Sequence, residues 1–111
     1  MNDNLLIQSL KILSQDASDQ EKYIHNLFKD EKYDNAEELL LEFEDSEFLI
    51  EKYLKNQDIK TLFFELKKVI DEIDRRQLFY TYHLKDDLWE KVRLRSRKLL
   101  IRLNHQNIYH D

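Results

Sequence analysis

Six carboxylates fall within one short stretch, at Glu37, Glu38, Glu42, Glu44, Asp45 and Glu47. Carboxylates at this density suit three kinds of chemistry: an acid–base pair, a hard-cation site, or a negative surface matched to a basic partner. Glu38 and Glu42 stand at i, i+4 and would share one face of a helix. Calcium loops, however, need glycine-assisted turns and alternating oxygen ligands, and the chain contains no glycine. Di-iron bundles use Glu-x-x-His, a spacing that does not occur here. Two readings stay open: a plainly solvated acidic face, or a partner-binding face of these six residues with Tyr23, Tyr33, Phe43, Phe48 and Tyr53 nearby.

The second chemically suggestive group is cationic. Lys91, Arg93, Arg95, Arg97, Lys98 and Arg102 follow one another with no acid among them, a composition that suits nucleic-acid phosphates. At about 100° per residue they divide: Arg93 and Arg97 fall on one flank of an apolar stripe, Lys91, Arg95, Lys98 and Arg102 on the other. Long apolar stems beside a core stripe commonly pair with acids of neighbouring helices, so nucleic acid is not the expected partner. The histidines, at 25, 83, 105 and 110, form no H-E-x-x-H pattern. Arg102-x-x-His105 is spaced more closely than the arginine–histidine pairs of helical ribonucleases. Without glycine, neither a P-loop nor a dinucleotide fingerprint can be built. The expectation is a chain that is not an enzyme, with no catalytic, cofactor or metal site.

The two groups make the molecule electrically lopsided. Residues 1–58 carry 6 basic and 15 acidic side chains, a balance of −9, while 59–111 carry 12 and 8, a balance of +4. Either pole could steer a partner. There is no cysteine, which rules out a disulfide scaffold or thiolate zinc site and suits a reducing compartment. The start, Met1-Asn2-Asp3-Asn4-Leu5, lacks the positive region of a signal peptide, and its apolar run is too short to span a membrane. A cytoplasmic protein with no membrane partner is expected.

What must position these groups is a set of helices. Gly and Pro are absent and Leu, Ile, Lys, Glu and Asp dominate, a mixture of helix formers with apolar residues at helical spacing. The pattern predicts a single all-α domain over 1–111, an antiparallel bundle of five to six helices, with 105–111 as a flexible tail. The first helix runs from Asp3 to about Ser14 on Leu6, Ile7, Leu10 and Leu13. A capping box, Ser18-x-x-Glu21, opens the second, which ends between Lys29 and Tyr33. Asn35 caps a third helix built on Ala36, Leu39, Leu40 and Phe43, and the acidic cluster at 42–46 threatens its continuity. Leu49, Ile50, Tyr53 and Leu54 resume the stripe up to a new cap in Asn56-Gln57-Asp58. The strongest stripe, Ile59, Leu62, Phe63, Leu66, Val69, Ile70 and Ile73, marks a long core helix. After an aromatic connection over 77–85, the last helix starts near Asp86 or Asp87 and reaches about Asn104. Its core face holds Leu88, Trp89, Val92, Ser96, Leu99, Leu100 and Leu103. Leu94 and Ile101 form a second, outward stripe that a homodimer would use.

The segment Asn35-Ala36-Glu37-Glu38-Leu39-Leu40-Leu41-Glu42-Phe43-Glu44-Asp45 resembles the D-E-L-x-L-E-F-D-D signature of small bacterial helical proteins. Trp89, Val92, Arg93, Ser96, Arg97 and Leu100 are similar to a W-x-x-V-R-x-x-[AS]-R-x-x-L element near the end of those proteins. Asn35 stands in for the leading acid, and the glycine that often precedes the last helix is missing. The resemblance implies an immunity protein that neutralises a cognate domain of a polymorphic or contact-dependent toxin, such as a nuclease. A basic toxin domain would then be the partner. Packing is the alternative role for the two elements, with Arg93 and Arg97 pairing with Glu42, Glu44 or Asp45 across the bundle.

Overall fold

The computed structural model describes the backbone of residues 4–110 and the side chains of residues 5–105. Helix α1, Asn4–Leu13, buries Leu6, Leu10 and Leu13 completely, the face its spacing predicts. Helix α2, Ala17–Phe28, starts two residues earlier than the capping box requires. Its N-cap is Asp16 with no side-chain cap bond, so Ser18 lies inside the first turn and its capping box does not form. The carbonyl of Asp16 accepts from the Gln20 amide at 2.9 Å and so sets the helix start. Lys29 then ends α2 at φ 54°, and Gln77 ends a later helix at the same φ. Both perform the left-handed C-capping usually left to glycine, at a cost of about 1 kcal/mol each.

Helix α3, Glu37–Ser46, crosses the acidic cluster without interruption. Asn35 Oδ1 accepts from the Glu37 amide at 2.8 Å, so it caps α3 as expected, one position before the formal cap at Ala36. The chain then tightens into a 3-10 segment, Glu47–Tyr53, in place of the α-helix the apolar stripe suggests. Three residues per turn bring Ile50 and Tyr53 to one side, and both are buried. Asn56 Oδ1 accepts from the amides of Asp58 and Ile59, opening helix α4, Gln57–Arg76. Ile59, Phe63, Leu66, Val69, Ile70 and Ile73 of α4 are all buried.

The aromatic connection pairs with the stretch before α3 through an isolated antiparallel bridge, Asn35 to Tyr80. A second 3-10 segment, Thr81–Lys85, leads into helix α5, Asp87–His110. Helix α5 therefore continues beyond the end expected near Asn104. For the tail expected over 105–111, the side chains beyond His105 and the whole of Asp111 lie outside the described residues.

Among the described residues the fold is all-helical, with no strand. Helices α4 and α5 pack along each other, and α1 lies against both α3 and α5. The Cα radius of gyration is 14.0 Å, near the value of about 13 Å usual for a chain this long. Trp89 is fully buried and donates its indole N–H to the Leu78 carbonyl at 2.8 Å, closing the connection over the core. No helix among the described residues is long and apolar enough to cross a membrane.

The junction of α1, α2 and α5 is held by polar groups. Gln20, fully buried, donates Nε2 to the carbonyls of Ile12 and Leu13, both at 3.0 Å. The Ile12 carbonyl also accepts from the Gln15 amide at 3.2 Å, and Gln20 adds a donor to both carbonyls at the end of α1, a C-terminal cap supplied from the next helix. Its Oε1 in turn accepts from Arg93 Nη1 at 3.0 Å, while Arg93 Nε donates to Glu90 at 2.9 Å. Arg97 Nε donates to the Ser14 carbonyl at 3.1 Å and its Nη2 lies 3.6 Å from Asp16. One arginine pair thus binds the turn between the first two helices to the last.

Candidate functional site

The six carboxylates on and just after α3 divide by direction. Leu39, Leu40, Phe43 and Ser46 occupy the buried arc of α3. On a helical projection Glu38, Glu42 and Asp45 follow on one side of that arc, Glu37 and Glu44 on the opposite side, with Leu41 between the two groups. Glu47, at the start of the 3-10 segment, forms an ion pair with Lys67 of α4. Lys67 also bears on Glu44, where it offsets part of the burial and acidic repulsion that together raise its pKa. The structure brings Glu38, Glu42 and Asp45 together and places Glu44 and Glu47 apart from them, against α4.

Glu42 is tied to α2. The Tyr23 hydroxyl donates to both of its carboxylate oxygens, at 2.6 and 2.8 Å. Burial, the bond to Glu42, and the charges of Glu42 and Glu38 push the tyrosine pKa up to about 12, so the hydroxyl keeps its proton at neutral pH. Glu38 is raised above the ordinary carboxylate value by burial first, then by Glu42, Asp45 and Glu37. The acidic neighbours make the local potential negative, and a carboxylate held in such a field gains from an incoming cation. No ion pair forms at Glu37, Glu38 or Asp45 among the described residues.

Apolar groups stand among these acids. Leu41 is 40% and Phe48 64% exposed, and Phe48 lines a hollow of about 480 Å³ with Leu49, Glu51 and Lys52. Of the other aromatics expected near the acids, Phe43 and Tyr53 are core residues, and Tyr33 stacks on Phe28 at 4.0 Å between ring centroids. A groove of about 280 Å³ runs between α1 and α3, with Leu5 and Ile12 on one wall and Tyr23, Glu42 and Asp45 on the other. The α1 half of this groove is not identified by the core stripe. A signal for it does exist: Leu5 and Ile12 are seven apart and lie off the Leu6–Leu10–Leu13 face.

The cations of α5 are placed differently. Arg93 is only 4% exposed. Neither Arg93 nor Arg97 reaches Glu42, Glu44 or Asp45; they bond instead to Gln20, Glu90, Ser14 and Asp16. The expected cross-bundle pairing is replaced because α1, not α3, occupies the flank of α5 on which these arginines sit. Arg102 lies 3.6 Å from Asp58 of α4, and Lys91 and Lys98 are exposed. Leu94 and Ile101 stand outward at 44% and 66% exposure.

No group of three or more histidine, aspartate or glutamate side chains among the described residues has metal-binding geometry. Compared with family models, with curated proteins and with solved structures, the chain matches none.

Proposed function

We propose that this chain is a non-catalytic protein-binding module that acts in the cytoplasm as an immunity protein. Its partner is the basic domain of a cognate polymorphic or contact-dependent toxin, held on the acidic face of α3. The reading treats the five helices as an antiparallel bundle that carries this face as a rigid surface. One observation supports it above the others: among the described residues Glu37, Glu38 and Asp45 have no ion-pair partner, and apolar Leu41 lies between them on the helical projection. An apolar centre ringed by charge is the layout of a protein interface, where the centre supplies affinity and the rim supplies encounter rate and selectivity. Carboxylates on such a face occupy the positions that phosphates would take in a basic nuclease cleft.

The test is co-purification and binding kinetics with the toxin domain encoded beside this chain. Association is expected to slow as salt rises. Joint reversal of Glu37, Glu38, Glu44 and Asp45 to lysine is expected to lower the association rate about tenfold or more. Binding unchanged by that reversal removes the acidic face from the interface.

A further inference from the structure

We propose that the groove between α1 and α3 is an anchor pocket for one cationic side chain with a long apolar stem, an arginine or a lysine, supplied by the partner. This deepens the reading above and rests on it for the source of the side chain, a basic protein. At about 280 Å³ the groove falls just under the range of about 300–1,000 Å³ usual for small-molecule pockets, a size that suits a single side chain.

Its chemistry is sided. The α1 wall presents Leu5, 64% exposed, and Ile12, surfaces that the methylenes of arginine or lysine can cover. The opposite wall presents Glu42 and Asp45, three residues apart on α3 and therefore neighbours on its surface. Among the described residues no lysine or arginine lines the groove, so its two carboxylates face it without a cation from those residues.

The hydroxyl protons of the two serines and the tyrosine at the groove are already used within the protein. Ser9 and Ser46 hydroxyls stand 3.1 Å apart and donate to the carbonyls of Leu6 and Phe43, both at 2.9 Å. The single proton of Tyr23 is directed at Glu42. What remains for a ligand is the lone pairs of two carboxylates and the side-chain amide of Gln8 beside apolar Leu5 and Ile12, a set whose net charge is negative and which matches a cationic head on an apolar stem better than an anion. Glu42 is preoriented by the tyrosine bond, so less side-chain freedom is lost when a cation arrives.

The experiment uses the full chain at low salt, titrated with N-acetyl-arginine amide and, in parallel, with its neutral isostere N-acetyl-citrulline amide, read by backbone amide NMR. The arginine probe is expected to shift the amides of Leu5, Ser9, Ile12, Tyr23 and Asp45, with citrulline weaker by about tenfold, the difference a charge-assisted contact makes. Glu42→Gln with Asp45→Asn retains an acceptor for Tyr23, and is expected to remove about tenfold of the arginine affinity. Glu37→Gln with Glu44→Gln, which face away, leaves it within about twofold. Equal shifts from citrulline, or shifts shared evenly with the outward acids, overturn the pocket. Arginine seated in the groove with no salt-dependent toxin binding leaves the pocket standing and removes the immunity reading instead.

Discussion

Helices α3 and α5 are both dense in charge, yet their charges have opposite fates. On α5, Arg93 is buried against Gln20 and Glu90, and Arg97 reaches the Ser14 carbonyl. On α3, Glu37, Glu38 and Asp45 have no ion-pair partner among the described residues, and the pKa of Glu38 is raised by burial and then by its acidic neighbours. The difference arises from what packs beside each helix. The flank of α5 meets the exposed carbonyl end of α1, which needs donors, and guanidinium groups have donors only. The flank of α3 meets Leu5, Gln8, Ser9 and Ile12 of α1, and among the described residues the one side-chain donor bonded to an α3 carboxylate is Tyr23 of α2. Charge that completes a neighbour's hydrogen bonds holds the fold together, and charge left repelling its own kind is available to a partner.

The sharpest way to break this contrast is Arg93→Ala. It leaves buried Gln20 Oε1 without a donor, and a loss of about 3 kcal/mol is expected in denaturant unfolding. A loss below about 1 kcal/mol would mean that the arginine network is incidental to the fold.

Tyr23→Phe probes Glu42, the α3 carboxylate that among the described residues accepts a side-chain hydrogen bond, and should cost about 1.5 kcal/mol. The sign of its pH dependence follows from the raised pKa. The folded state keeps the phenolic proton up to about 12 against 10.0 for an ordinary tyrosine, so this stabilisation is complete below pH 10 and is lost as pH rises toward 12. Alkaline unfolding of Tyr23→Phe should lack that limb, and an identical limb in both proteins would assign it to another tyrosine.

The smallest effect has the opposite sign. Glu38 holds its proton more tightly folded than unfolded, so its contribution is present in acid and is lost as pH rises through and above 4.5. Glu38→Gln is therefore expected to raise stability at neutral pH by about 0.3 kcal/mol, seen as a small upward shift in melting temperature. A drop would mean that Glu38 has an attractive partner and does not belong with the repelling acids.

Much of the fold is legible in residue spacing. The stripe from Ile59 to Ile73 and the cap at Asn56 place α4, and Asp87 opens α5 where a carboxylate favours the helix start. Two local features are not. The Ser18-x-x-Glu21 pattern yields to Asp16 because the Gln20 side chain is drawn to the carbonyls of Ile12 and Leu13, a pairing invisible to a pattern of adjacent residues. The stripe at Leu49, Ile50 and Tyr53 is read as α-helix because apolar spacing of three and four fits either winding over so short a run.

Helix content, the core faces of α1, α4 and α5, and the opposed charges of the two halves were determined by the sequence by itself, since each depends on periods and compositions within one segment. Which charges are used inside the molecule was decided only by tertiary structure. Residues 73 positions apart, Gln20 and Arg93, meet because α1 ends beside α5. The same docking of α1 leaves a groove against α3 in which Leu5 and Ile12 face Glu42 and Asp45. A hydrogen bond or a groove is a relation between surfaces, and its free energy exists only once packing has removed the water between them.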